Sequence, residues 1–486
     1  MFYLNFGYGL ERSDFVKLIS LYASLFFVAY LFIEKFKLNF WFLAVLGIVF
    51  RLVFSVAIPN LSEDFYRFLW DGQLLSQGIS PYIFTPNDIF NTGIPFERFK
   101  VFLYNVDVFT EAFVGMSELS LNNFSNYPPI NQLFFSFATF VGGNSVLGSV
   151  IVLRMLIILA DLGILYFGKK ILEKLNLPIR NIFWYFLNPF IIIELTGNLH
   201  FEGVMLFFFI WALYLLFNGK WFWAAILIGI SISVKLIPLL FLPLFLKYFI
   251  SKEVSTEPVL RGVQRLNRTT LLKFYFIIGI TVFITFLPFL SSEFIQNFSA
   301  TIALWFQNFE FNASVYYIIR WIGFQIVGWN IIETVGKILP VLVFLFVLGI
   351  AFFRKNKNPQ QLLTAMLLVI LFYFLLSTTV HPWYIATPLL LSVFTKYKFP
   401  IIWSFVVMLS YSAYEKDGFD EKLWLVALEY IVVVGFTVCE LYPVRLKKTV
   451  SRFLSHQPQK KGKEQYFLLF YLENNLLDKI GYKVIS

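Results

Sequence analysis

NLSEDFYRFLWDGQLLSQGISPY, Asn60 to Tyr82, follows a hydrophobic segment that starts near Phe40 and ends at Pro59. Its acidic residues therefore emerge where the chain leaves a bilayer. Read as a helix beginning at Ser62 or Glu63, the stretch sets Asp64, Arg67 and Asp71 at i, i+3 and i+7 on one face. Phe65, Phe68, Leu69 and Trp70 cover the remainder. That distribution suits a helix lying in the membrane interface, rings at headgroup depth and polar face turned outward. The rest of the chain reads as a frame for this element.

The composition names the frame. Of 486 residues, 59% are hydrophobic, 21% aromatic and 14% charged, with a mean hydropathy of +0.74. No soluble surface of this size tolerates that, so the fold expected is an all-α polytopic membrane protein. The net charge of +10 is accounted for by basic cytoplasmic loops, which removes nucleic acid as a partner. Cys439 stands alone in an apolar run, so disulfides and cysteine-ligated metals are excluded. Phe15 to Ile33 is a full-length span with no small-residue cleavage site behind it, so no cleavable signal is expected.

Hydropathy and the placement of Lys and Arg predict about 13 spans, give or take two, with the N-terminus outside and the C-terminus inside. The first two are Phe15 to Ile33 and Phe40 to Ile58; Lys35 and Lys37 between them belong in the cytoplasm, which puts Asp64 outside. Arg51, near the middle of the second span, needs an acid partner or a polar cavity. In Val146 to Phe167, Arg154 and Asp161 lie one heptad apart and read as an intramembrane pair. Residues 59–129 form a first long outer loop carrying Asp88, Glu97, Arg98, Lys100, Asp107, Glu111 and Glu118, long enough to be a lid or binding surface. Ile130 to Val141 is too short to cross and reads as re-entrant or interfacial. From Ile182 to Leu246 the spans are short and broken at NPFIIIELTGNLHFEG, NGKW and ISVKLIP. Such breaks are tolerated where they line protein or a wet cavity.

A basic loop from Lys252 to Lys273, with Arg261, Arg265 and Arg268, belongs in the cytoplasm. A second outer loop, 291–333, contains Trp305, Glu310, Asn312, Tyr316, Tyr317 and Arg320. The membrane domain is thus 1–442, and 443–486 is a basic tail, amphipathic near Tyr466 to Leu477, on the cytoplasmic lipid surface. No fixed-period repeat is present.

Two of the three histidines, His200 and His381, fall at outer ends of spans, on the side of Asp64; His456 is in the tail. Two imidazoles and an acid on one face point to a polar reaction site. Sugar transfer from a lipid-linked donor needs a carboxylate to accept the acceptor proton and cations or hydrogen-bond donors for the departing phosphate. Asp64 is the candidate base, with Glu63, Asp71 and Glu202 as further acids. Arg67, His200, Lys235, Arg320, His381, Trp383 and Tyr384 are the candidate donor-phosphate or substrate contacts. The bland reading of Asp64 and Asp71 is salt bridging to Arg67 along the helix. A divalent metal stays open, but His-x-Glu at His200 and Glu202 is a weak ligand spacing and no ligand is assigned.

DFYRFLWDGQLLSQGISPY at Asp64 to Tyr82, YPPINQLFF at Tyr127 to Phe135, LNPFIIIELTGNLHFEGVML at Leu187 to Leu206, ISVKLIPLLFLP at Ile232 to Pro243 and HPWYIATPLL at His381 to Leu390 run in order over most of the chain. Together they resemble the polytopic GT-C glycosyltransferases, closest to the bacterial α-(1→6)-mannopyranosyltransferase type that uses polyprenyl-phosphate mannose. The resemblance implies an inverting transfer at the outer face of the cytoplasmic membrane, to a glycan, lipid or protein acceptor, with Asp64 as general base. It also places a histidine-plus-acid feature on His200 and Glu202, where aspartate is more usual than glutamate, and it leaves the first span as an addition to the simplest pattern. Two rival classes are a lipid-linked oligosaccharide flippase, which would carry paired repeats, and an O-antigen-type polymerase, in which Asp64 would be expendable.

Overall fold

The computed structural model describes residues 1–92, 107–143, 145–251, 267–416 and 418–442. Glu97, Arg98, Lys100, Arg261, Arg265, His456 and the 443–486 tail lie outside the described residues. The chain divides into Met1–Val434, which holds the elements that build the site, and Gly435–Ser486, whose described part is the end of helix Leu423–Leu441.

Helix starts follow the polar residues that interrupt the apolar runs. The first turn of a helix leaves backbone N–H groups without partners, and a side-chain oxygen just ahead of it supplies one. Asp14 accepts from the Lys17 N–H, Asn39 from Phe42, Ser145 from Gly148, Asn267 from Thr270, Ser291 from Phe294 and Asn358 from Gln361. Short polar breaks in an apolar sequence thereby become helix boundaries.

Among the described residues, six helices are long and apolar enough to cross a membrane: Phe15–Lys35, Val146–Lys174, Arg268–Phe289, Ile332–Phe353, Pro359–Leu376 and Leu423–Leu441. A seventh is formed if Ile191–Gly197 and Glu202–Phe217, bent by 108° to one another, count as one span. The protein is therefore a mostly helical, multi-pass membrane protein. The expected total of about 13 is not reached by helices of this length, because several expected crossings are shorter. Phe40–Leu52, Trp221–Val234, Ile237–Ile250, Val315–Val327 and Phe399–Ala413 are apolar but have 10–17 residues. Thirteen residues, as in Phe40–Leu52, rise only about 20 Å against a core of about 30 Å.

Two buried arginines lock the frame. Arg51 donates through Nε to Asp161 at 2.8 Å and through Nη1 to the Gly47 and Phe186 carbonyls, with both charged side chains wholly buried. Arg51 thus has the acid partner its position demanded. Arg154, expected to pair with Asp161, instead donates to the carbonyls of Thr196, Gly197 and Ser55 at 2.9–3.1 Å. The reason lies in the break between the two bent helices. Ile191–Gly197 is wound as a π-helix, and its end frees carbonyls that a planar guanidinium satisfies in one fork.

The helix expected at Ser62 or Glu63 runs Asp64–Ser76, with Glu63 at its N-cap. Its rings do not face outward: Phe65, Phe68, Leu69 and Trp70 are at most 2% exposed, and Arg67 and Asp71 are buried as well, so the middle of the helix is packed in protein. Its partner is Pro129–Gly142, the piece read as re-entrant. Phe68 stacks on Phe135 with centroids 4.4 Å apart, and Gly72 lets the two backbones touch: a Cβ there would meet the Phe135 carbonyl oxygen at 2.4 Å. The segment expected as a second outer loop contains helices Ser292–Gln307 and Val315–Val327. Between them Phe311 pairs with the 378–380 backbone, accepting from Val380 and donating to Thr378.

Candidate active site

Asp64 opens its helix, which puts it at the positive end of the helix dipole. Its side chain is 36% exposed, whereas Asp71, seven residues on, is fully buried. The Asp64 Oδ2 atom lies 4.0 Å from His200 Nδ1, and His200 Nε2 lies 3.8 Å from Glu194 Oε2. Glu194 is buried in the π-helical segment and accepts the Tyr411 hydroxyl at 2.9 and 3.1 Å. His200 reaches Asp64 because the chain turns at Asn198 and Leu199. Asn198 accepts from the Leu61 N–H and donates to the Ile193 carbonyl, and Leu199 holds a left-handed φ of +63° that only a strongly determined turn sustains.

The two histidines meet through an indole. Trp383 stacks on His200 at 3.6 Å and on His381 at 4.5 Å, with ring planes within 16° and 3°. Tyr384 meets His381 edge-on at 5.4 Å, and its ring lies 5.9 Å from Lys235 Nζ. Lys235 is in turn ion-paired to the buried Glu202. The site therefore collects Glu63, Asp64, His200, Glu202, Lys235, His381, Trp383 and Tyr384 from four separated stretches of chain.

Three expected members are elsewhere. Asp71 has both oxygens engaged: Oδ1 by Arg67 Nε at 2.7 Å, Oδ2 by the Ser125 hydroxyl at 2.5 Å and the Gln132 amide at 3.0 Å. Arg67 spends its remaining bonds on the Ser120 and Asn123 carbonyls. This pair clamps the loop before Pro129 to the acidic helix, the salt-bridge reading that the i, i+4 spacing allowed. Arg320 pairs with Glu310, which also binds Tyr316 and Asn330; among the described residues no hydrogen bond or ion pair joins that cluster to Asp64. Glu202 being held by Lys235, the His200 and Glu202 pair is not a ligand set. Among the described residues no group of three or more His, Cys, Asp or Glu is placed to hold a metal ion.

Residues 18–251 match the family described as Alpha-(1->6)-mannopyranosyltransferase, N-terminal domain. The match makes the chain similar to a glycosyltransferase family, and that family indicates an α-1,6-mannosyltransferase with a sugar donor and a glycan acceptor. No curated protein matches the chain. The stretch covered by the mannopyranosyltransferase family takes in Asp64, Glu194, His200, Glu202 and Lys235. Arg12, His381, Trp383 and Tyr414 lie beyond it.

Arg12 is the contributor that sequence reasoning missed. It precedes the first long helix, caps the Tyr414 ring with its guanidinium carbon 3.3 Å from the ring centroid, and stands 3.7 Å from Glu63. Its charge acts on Asp64, together with that of Lys235. Asp64 is nevertheless pushed up to about 6, chiefly because surrounding protein displaces water, with Glu202 and Glu63 adding repulsion. His381 moves the other way: burial and the charges of Lys235 and Arg12 bring it down to about 3, so it is a neutral ring at physiological pH. Glu194 was the other omission. Its only sequence signal was an acid inside an apolar run, and in a membrane protein such an acid is a functional candidate by default.

Proposed function

We propose that the protein transfers mannose from a polyprenyl-phosphate-linked donor to a glycan hydroxyl at the outer face of the cytoplasmic membrane. The transfer inverts the anomeric centre, and Asp64 acts as the general base. The observation that carries this reading is the state of Asp64. Asp64 and Glu63 are the acids of the site with exposed carboxylates, and of these Asp64 is the one that faces His200, Glu202 being paired with Lys235 and Glu194 with Tyr411; the protein around Asp64 pushes its pKa up to about 6.

The reaction divides into a proton and a phosphate. Asp64 takes the proton as the acceptor oxygen bonds to the anomeric carbon, and on the opposite face the bond from that carbon to the phosphate oxygen breaks, its electron pair leaving with the polyprenyl phosphate. Lys235, the cation that acts most strongly on Asp64, supplies the positive field for that leaving group. The stacked rings of Trp383, His200 and His381 give an apolar, water-poor wall behind it. The cationic residues support the outer-face assignment. Arg180 ties the Phe32, Ile33, Phe36 and Leu38 carbonyls together beside Lys35, and the chain then runs through Phe40–Leu52 before reaching Asp64. A basic end opposite the acid is the pattern of a cytoplasmic end.

The test is transfer of labelled mannose by membranes containing the protein, offered polyprenyl-phosphate mannose or a nucleotide-linked mannose. Product should form from the lipid-linked donor alone, with the opposite anomeric configuration; product from the nucleotide sugar alone, or retention, would remove the mechanism. The pH dependence has a defined sign. The base must be ionised, so kcat/KM should fall about tenfold per unit as pH drops below about 6 and level off above it. A flat profile between pH 5 and 8 would dissociate catalysis from this carboxyl.

A further inference from the structure

We propose that the open cleft between the N-terminal turn and the Tyr414–Glu415 strand is the acceptor-binding subsite, and that it takes an uncharged glycan chain. The inference rests on the transfer reading and adds to it the place and chemistry of the acceptor. The cleft has a volume of about 440 Å³, and its walls include Glu11, Arg12, Glu63, Tyr414, Glu415 and Lys416. Glu63 is the residue before Asp64, so one wall of the cleft leads directly to the base.

The lining decides the ligand class. Carboxylates accept hydrogen bonds from hydroxyls, and the guanidinium and ammonium groups donate to them, so a polyol can use every wall at once. Three acids against two cations would repel a phosphate and give no net pull on an anionic chain. Arg12 also has donors to spare. Its guanidinium carbon lies 3.3 Å from the centroid of the Tyr414 ring. Its contact with Glu63 at 3.7 Å is longer than a hydrogen bond, and among the described residues its buried Nε has no partner. Residues 11–13 and 414–416 all fall outside the family-matched stretch 18–251.

The probe is α-(1→6)-linked mannotriose, used with the full chain in detergent or membranes. Arg12→Gln and Lys416→Ala should each raise KM for mannotriose about 10- to 100-fold, the value of one hydrogen bond to a charged group, while KM for the lipid-linked donor stays at the wild-type value. Arg12→Lys should recover part of the loss. An unchanged acceptor KM, or a rise confined to the donor, overturns the assignment. Direct binding separates this idea from the reaction it rests on. If wild type binds mannotriose and a variant carrying both Arg12→Gln and Lys416→Ala does not, the cleft stands even when no transfer is found. If wild type does not bind it, or binds a phosphorylated mannotriose more tightly than the neutral one, the proposal fails.

Discussion

Asp64→Asn should lower mannosyl transfer by about 10²- to 10⁴-fold, the usual contribution of a positioned general base. Accumulation in membranes and resistance to unfolding should stay at wild-type levels. The substitution is close to isosteric, and Asp64 has a third of its side chain exposed and no ion pair shorter than the 4.0 Å approach of His200. Folding therefore loses little, and the loss should appear in kcat as well as kcat/KM, because the proton is taken in the chemical step. The comparison is Asp71→Asn, which strips a buried bond from Arg67, Ser125 and Gln132. That variant should unfold more easily, with the specific activity of its folded fraction retained. If Asp64→Asn transfers at the wild-type rate, the base is another acid, and Glu63, beside it at the cleft wall, becomes the next to test. A flippase or a polymerase relying on later arginines would also be indifferent to Asp64, so the variant separates the classes as well as the residues.

The membrane class and the acidic helix were legible, although the helix starts at Asp64 and not at Ser62 or Glu63, because each rests on a local signal: hydropathy, helical spacing, a carboxylate just past an apolar run. His200, Lys235 and His381 could be put on one side by counting spans, although not placed in contact. What brings them together is a pair of non-local devices, the 108° break after Gly197 and the indole of Trp383 between two imidazoles, and neither leaves a periodic trace. Asp71 was offered as a second base because helical spacing gives a face but not what covers it; Ser125 and Gln132, far along the chain, cover it. The same limit explains Asp161. Spacing on one helix suggested Arg154, while the true partner, Arg51, is 110 residues away. Arg12 gave no signal, since a charge just outside a first span is an ordinary interfacial residue until the fold brings Tyr414 beneath it.

The second large effect concerns that buried pair. Asp161→Leu should destabilise the protein by about 3–5 kcal/mol, because it leaves the Arg51 charge buried without its counter-ion. Both side chains are fully buried, and Arg51 keeps only its carbonyl bonds to Gly47 and Phe186 and the face of the Phe186 ring, 4.2 Å away. Those groups orient a guanidinium but do not neutralise it. The double variant Arg51→Met with Asp161→Leu should then be more stable than Asp161→Leu alone, since a matched apolar pair removes the stranded charge. Its recovery should remain incomplete because the Phe186 carbonyl loses its donor at 2.8 Å. Unfolding of the solubilised protein for wild type, both single variants and the double variant gives the coupling directly. Additive losses would mean that water or another acid already screens Arg51. A strong positive coupling, with transfer activity returning alongside stability, would assign Arg51 and Asp161 to the frame and leave the chemistry to Asp64 and the residues stacked around His200.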